Sequence, residues 1–267
     1  MNLIFVEGVS GVGKSTTTTA LCKKLRDMGY STACYLEGDI NSPVDSFWSA
    51  CLTKAEYDHI RLTYRDFAYE ISDNGINGDN YILVRYQDLK RKYYSPELYE
   101  YLKEREFCYN PARPLPLVNY MEVFSDIWRR FAKSVQTTRD IVILDGSFLH
   151  HQINDLIRNY NATEDDIVRH LAELLRSVRS LNPVVFYLSS QEVGDRLRKA
   201  QDSRGKSEPT KKEITFWEKR KDMDLRVLNE LSVESHIVDV TCNNWDTVLD
   251  TIIWRVTQNA PIAHYSN

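Results

Sequence analysis

Gly8-Val9-Ser10-Gly11-Val12-Gly13-Lys14-Ser15 fits G-x-x-x-x-G-K-S/T in full. The glycines let a backbone turn its amides inward on a phosphate chain, and a helix starting at the lysine adds its dipole. Lys14 reaches the β and γ phosphates, and the Ser15 hydroxyl ligates magnesium. Gly8 to Ser15, with Thr16 beside them, are therefore the expected ATP-binding residues. Ile141-Val142-Ile143-Leu144-Asp145 is an apolar run that ends in a carboxylate, and Asp145 is the expected partner of Ser15 on Mg2+. Gly146 follows, not the glutamate with which hydrolysis-driven machines activate water, and no N-K-x-D guanine motif occurs. Phosphoryl transfer to a bound acceptor is the chemistry that remains.

Between Arg196 and Arg226 eleven basic residues stand against six acidic ones. A transferring phosphoryl group needs positive charge at its equatorial oxygens, brought by a segment that opens and closes. Arg204-Gly205-Lys206 has the glycine for such motion, and Thr210-Lys-Lys-Glu213 reads as a capping box that restarts a helix. Residues 196–212 are expected to form the lid, with its closing loop at 201–209. Arg196 and Arg204 are its candidate catalytic groups, whereas Lys211, Lys212, Lys219 and Lys221 read as a solvated helix face. His150-His151 invites a metal reading, but neighbours on a helix diverge by about 100°, and both are read as structural.

These groups need a scaffold. Residues 2–6 predict a first strand and Lys14 to Met28 a helix that Gly29 closes. Thr32–Glu37, Ile141–Leu144, Val184–Leu188 and His236–Val240 predict four more strands. Helices lie between them, one from the Thr163-x-x-Asp166 cap to Leu181 and one from Trp245 to Thr257. Continuous apolar strands separated by helices imply an α/β fold with a five-stranded parallel sheet covered on both faces. The core of this single domain is read as residues 1–43 and 136–258.

Residues 44–135 break the rhythm with an insertion rich in Tyr, Trp, Phe and Arg. Helix signals occur at Ser95-Pro96-Glu97 and from Leu117 to Val135, with loops at 74–78 and 110–114. Loops that leave the carboxyl ends of parallel strands border the ligand crevice. The insertion is therefore read as a helical, acceptor-binding subdomain, with Trp48, Arg113 and Tyr120 among the contacts.

The chain has 267 residues, 34 basic and 38 acidic, with a net charge of −4. That balance gives no electrostatic reason to expect a nucleic-acid or anionic-membrane partner. The opening MNLIFVEGVSG lacks a positive n-region and is too short an apolar run for a signal peptide, and no stretch approaches the roughly 18 apolar residues of a membrane span. The expectation is a cytoplasmic protein whose partner is a small-molecule acceptor, with a homodimer left open. Five scattered cysteines without a C-x-x-C pair read as reduced thiols.

Outside the insertion, these motifs resemble the nucleoside and nucleotide kinase group of P-loop kinases, thymidylate kinase in particular. Val185-Phe186-Tyr187-Leu188 and Glu192-Val-Gly-Asp-Arg196-Leu resemble that family's fourth strand and the start of its arginine-bearing lid helix. Ile237-Val-Asp-Val-Thr241 resembles its fifth strand, and the resemblance then sets Thr241 to Asn244, Thr241 and Asn243 foremost, against the adenine. It also implies an acidic residue at the end of the second strand that orients or deprotonates the acceptor hydroxyl. Asp39 matches that placement, with Glu37 supporting magnesium; the opposite assignment of the two carboxylates stays open. The family's third strand often ends in Asp-Arg or Glu-Arg, whereas this one ends Asp145-Gly146-Ser147. The resemblance implies a nucleoside or nucleotide acceptor. The missing arginine keeps a non-nucleotide metabolite or an antibiotic in view, and a nucleotide-binding switch with little turnover is the rival of another class.

Overall fold

The computed structural model describes residues 2–87, 95–135 and 139–259. Residue 136, where the core was expected to resume, lies outside the described residues.

Strand β1 (Asn2–Glu7) is buried along its whole length. Leu3 and Phe5 enter one apolar cluster and Ile4 and Val6 another, because successive side chains of a strand point to opposite faces. Around it lie β2 (Thr32–Tyr35), β6 (Ile141–Asp145), β7 (Pro183–Ser189) and β8 (Glu234–Asp239), all parallel, in the order β2-β6-β1-β7-β8. Helix α1 (Lys14–Asp27) and the C-terminal α10 (Trp245–Asn259) cover the Ile4 face. The Phe5 face is covered by α5 (Leu117–Val135), α6 (His150–Asn159), α7 (Glu164–Val178) and α9 (Lys211–Glu230). This is the expected α/β P-loop fold with a five-stranded parallel sheet and helices on both faces. β2 ends two residues early, so Leu36 and Glu37 leave the sheet. α7 keeps the Thr163–Asp166 capping box but stops at Val178, and a 3-10 turn completes the run to Leu181. Among the described residues no helix is long and apolar enough to cross a membrane.

The segment 44–135 is not purely helical, which corrects the sequence reading. Strands β3 (Ser49–Leu52), β4 (Gly75–Asn77) and β5 (Ile82–Arg85) form an antiparallel sheet in the order β3-β5-β4. They are too short to show alternation, and β4 occupies the stretch read as a loop. With α2 (Lys54–Thr63), α3 (Ala68–Asp73) and α4 (Pro96–Lys103), they enclose a small core around Leu52, Ile60, Val84 and Tyr86. α5 fastens this unit to the main sheet: its Trp128 packs on Phe5 with ring centroids 5.6 Å apart.

Two buried charged groups fix the start of α6. The Glu7 carboxylate accepts from the amides of Phe148 at 2.8 Å and His150 at 2.9 Å. From the other side, Arg220 of α9 donates to the Leu149 carbonyl at 3.0 Å and pairs with Asp224 at 2.7 Å, both side chains 1% exposed. Asp224 also accepts from Tyr187 of β7 at 2.9 Å, so neither charge is left unpaired, the condition under which a buried pair is tolerated.

Burial pushes the Glu7 carboxyl up to about 7, against the lowering influence of the two amides and Lys14. The native state therefore holds this proton more tightly than the unfolded chain does. The resulting stabilisation is full below about pH 4.5 and is lost as pH rises through about 7. Urea unfolding across that window should show stability falling with pH more steeply in the wild type than in Glu7→Gln. Equal slopes would mean that another group carries the dependence.

Candidate active site

The loop between β1 and α1 turns on Gly8, Gly11 and Gly13, whose φ values are +139°, +82° and +102°. At Gly13 a side chain would also overlap the Trp245 ring, so two independent constraints require glycine there. No side chain caps α1, which leaves the helix's first amides open to a phosphate. Lys14 is only 6% exposed, and its Nζ donates to the carbonyls of Gly8 at 3.0 Å and Val9 at 3.3 Å. Thr16 is exposed on the first turn of α1.

The register that pairs Val6 with Asp145 brings the end of β6 beside this loop. Ser15 Oγ donates to Asp145 Oδ2 at 2.6 Å, while Asp145 Oδ1 is buried with no protein partner. Burial raises the Asp145 pKa, with Lys14, the Ser15 hydroxyl and the Glu37 amide opposing it. A hydroxyl and a carboxylate with one uncommitted buried oxygen, set beside a phosphate loop, fit Mg2+. Gly146 has φ +67°, and a Cβ there would stand 3.1 Å from Lys14 Cε. Position 146 thus disfavours any side chain, arginine included.

The two carboxylates after β2 take different surroundings. The Glu37 amide donates to Asp145 Oδ2 at 3.3 Å, and the Glu37 side chain meets the histidines of α6. Its Oε1 lies 3.3 Å from His151 Nε2 and 3.9 Å from His150 Nε2. Asp39 instead accepts from the Asn41 amide at 2.9 Å and its Nδ2 at 3.2 Å, a local turn with no contact to the phosphate loop. The change follows from β2 ending at Tyr35, which frees Glu37 to reach across β6.

The two histidines, read as structural, are both buried at the start of α6 beside the glycine loop and Glu37. Their angular divergence, which prevents a shared ion, sends each to a different part of the site. His150 Nδ1 lies 3.4 Å from Lys14 Nζ and 3.2 Å from the Gly8 carbonyl, and the ring stacks on Trp217 of α9 at 5.3 Å between centroids. His151 Nδ1 faces the Tyr109 hydroxyl at 3.0 Å and Asp45 Oδ2 at 3.6 Å. Burial, reinforced by Lys14, drives the His150 pKa well below the usual value. Burial acts the same way on His151, but the Glu37 contact and the Asp45 charge outweigh it and raise the pKa. For Glu37, burial would raise the carboxyl, yet His151, His150 and Lys14 together hold it well below the usual carboxylate range.

Other expected contacts lie elsewhere. Tyr120 is fully buried in the core, its hydroxyl donating to Gln152 Oε1 at 3.3 Å. Arg113 is an exposed side chain 3.6 Å from Glu104. Trp48 packs edge-on against Tyr86 in the core of the insertion. The neighbouring Phe47 is the ring that meets Tyr109, with centroids 3.9 Å apart. Arg196, on α8 (Val193–Ser203), is 8% exposed and holds the loop after β8. It donates to the Val240 carbonyl and to Asn243 Oδ1, the latter at 3.0 Å, and lies 5.7 Å over Trp245. That position corrects its reading as an open lid group. Thr241 Oγ1 donates to Asp239 at 2.6 Å and accepts from the Gln191 amide. Arg204 ends α8 and, with Ser10, Arg158, Lys206, Lys212 and Trp217, lines a cleft of about 780 Å³. Thr210 and Glu213 form the expected capping box of α9. Asp45, Phe47, Tyr109 and His151 were not anticipated. The adjacent histidines were the one signal available.

No family model matches this sequence, and no curated protein matches it. Several solved structures are similar to it in shape. A crystal structure of YorR protein from Bacillus subtilis in complex with phosphorylated GDP shares 14% identity over 96% of each chain, with a TM-score of 0.46. Deoxyadenosine kinase from M. mycoides with bound dCTP shares 13% over 96% of this chain and 99% of that one, at 0.42. The same enzyme with the products dCMP and a flexible dCDP shares 14% over the same spans, again at 0.42. Likeness at this level leaves the fold resting on the chain's own strand order and phosphate loop.

Proposed function

We propose that this protein is an ATP- and Mg2+-dependent kinase that transfers the γ-phosphoryl group to a hydroxyl of a small molecule, a nucleoside being the first candidate acceptor. The reading is carried by the arrangement at the carboxyl edge of the sheet. The phosphate loop and the Ser15–Asp145 pair meet there, and the Glu37 amide bonds to Asp145 Oδ2 while the Glu37 carboxylate lies beside His151. In this reading the loop amides and Lys14 bind the triphosphate and neutralise its charge. Ser15 and Asp145 hold magnesium, which when bound offsets charge on the phosphate oxygens. Glu37 accepts a hydrogen bond from the acceptor hydroxyl and takes its proton as that oxygen bonds to the γ-phosphorus. The bond from phosphorus to the bridging oxygen breaks, and ADP leaves. Arg204 and Lys206, across the cleft from Ser10, supply lid charge.

Charge narrows the acceptor. Glu37 is 42% exposed with His151 and the buried Asp45 behind it, and position 146 carries no cation. An acceptor that brings its own phosphate would meet the Glu37 carboxylate, so a neutral or cationic hydroxyl compound fits better than a nucleotide. This charge pattern also keeps sugars and aminoglycosides within the proposal. A silent nucleotide switch would have no use for a buried histidine network behind Glu37.

ADP release measured over thymidine, deoxyadenosine, deoxyguanosine, dTMP, glucose and kanamycin tests the proposal, with Lys14→Ala as the blank. ATP-dependent turnover with one acceptor, absent from the blank, is the expected result. Turnover that survives Lys14→Ala would sink the reading. Calorimetry should show Asp145→Asn weakening Mg2+-ATP binding far more than binding of metal-free ATP, since only charge is removed. Equal losses would leave Asp145 a structural role. Glu37→Gln should lower kcat by about 10²- to 10⁴-fold with ATP affinity retained, whereas Asp39→Asn should stay near wild type. The reverse pattern would restore Asp39 as the acceptor-side group.

A further inference from the structure

We propose that His151 is a positioning residue, its imidazole wedged between Asp45 and Glu37 so that the Glu37 carboxylate is held on the acceptor side of the phosphate loop. The role rests on the kinase reading of Glu37; the contact itself does not.

Glu37 needs such a hold. It lies two residues beyond the end of β2, outside any ladder, and its side chain is 42% exposed. A free glutamate there would spread over several rotamers and lose entropy whenever it settled into one. Three cationic or titratable groups face it. Lys14 is committed to the Gly8 and Val9 carbonyls, and His150 stands farther off, at 3.9 Å, stacked on Trp217. His151 is the near one, at 3.3 Å.

His151 is itself over-determined. It is 6% exposed and lies edge-on to Tyr109, the rings at 86°. The Tyr109 hydroxyl donates to Asp45 Oδ1 at 2.6 Å, and Asp45 Oδ1 also accepts from the Phe47 amide at 3.1 Å. Tyr109 adopts a left-handed backbone, φ +67°, and its amide donates to Asp155 Oδ1 at 3.1 Å. A non-glycine residue in that region marks a conformation imposed by its surroundings. Three layers thus run outward from Glu37: the imidazole, the Asp45–Tyr109 pair, and Asp155 on α6. The Tyr109 hydroxyl at 3.0 Å from Nδ1, with its own proton given to Asp45, fixes one ring nitrogen and so turns the other toward Glu37. Nε2 of His151 and Oδ2 of Asp45 are buried without an aligned hydrogen bond. Contacts of this kind tighten when the reacting complex forms.

The contact is read first without substrate, by NMR of ¹⁵N-histidine-labelled protein. Glu37→Gln should move the His151 Nε2 resonance, and Asp45→Asn the Nδ1 resonance. A His151 signal indifferent to Glu37→Gln overturns the proposal whatever the acceptor. Kinetics then use the member of the acceptor panel with the highest turnover. His151→Gln should lower kcat about 10- to 100-fold, the scale of a misplaced reacting group, with the ATP dissociation constant and Tm near wild type. Glu37→Gln should be slower still, and the double variant no slower than Glu37→Gln alone, because His151 acts through Glu37. Losses that multiply, or an unchanged kcat in His151→Gln, overturn the role. Should His151→Gln fail to fold, Asp45→Asn, which preserves shape, takes its place in the same cycle. A wild-type protein that releases no ADP with any acceptor fails the kinase reading itself, and the positioning role falls with it even if the NMR contact stands.

Discussion

The site depends on the first turn of α6. Its amides at Phe148 and His150 are held by the buried Glu7 carboxylate, and its Leu149 carbonyl by the buried Arg220. Glu7 ends the strand that leads into the glycine loop, and Arg220 belongs to α9. The turn is therefore held from both sides, and it carries the two histidines. Burying a carboxylate and a guanidinium costs several kcal/mol each unless both are saturated. Here backbone amides and carbonyls, together with Asp224, provide that saturation. A shift of this turn would move His150 away from Lys14 and His151 away from Glu37 at once.

Sequence patterns revealed what is local. The G-x-x-x-x-G-K-S string, the apolar parallel strands and the capping boxes at Thr163 and Thr210 are each written within a few residues, and the structure contains each of them. The antiparallel sheet of the insertion was not legible because strands of three or four residues carry too few alternations to be told from loops. Nor could composition say which aromatics are walls and which are core. Tyr120, Phe124 and Trp128 form the buried stripe of α5, whereas Phe47, which reaches Tyr109, lies in a loop without period. The cluster around Glu37 was hidden for a different reason. Glu37, Asp45, Tyr109 and His151 come from four separate stretches and meet only because β2 lies beside β6 and the insertion folds back on α6.

Asp39 and Glu37 show how small a structural difference can send two carboxylates to different neighbours. Both carboxylates follow the same strand, two residues apart. Ending β2 at Tyr35 leaves Glu37 near enough to Asp145 for its amide to bond there, while Gly38, at φ +78°, turns the chain so that Asp39 closes on Asn41. A glycine beside a carboxylate pair is thus part of the selection, since a residue with a Cβ resists that backbone conformation.

Position 146 and the histidine pair are connected through the same geometry. A left-handed glycine packed on Lys14 disfavours a side chain after Asp145, and among the described residues α6 places two histidines beside the same edge. Two adjacent histidines then acquire opposite character from their surroundings alone. His150 lies between an ammonium and an indole, and burial together with Lys14 lowers its pKa. His151 lies between two carboxylates, and the Glu37 contact and the Asp45 charge raise its pKa against burial. A neutral ring suits the place beside Lys14, whereas the Glu37 and Asp45 side favours the protonated form. Helix divergence at successive residues is therefore what allows one turn to set one histidine beside Lys14 and the next between Glu37 and Asp45.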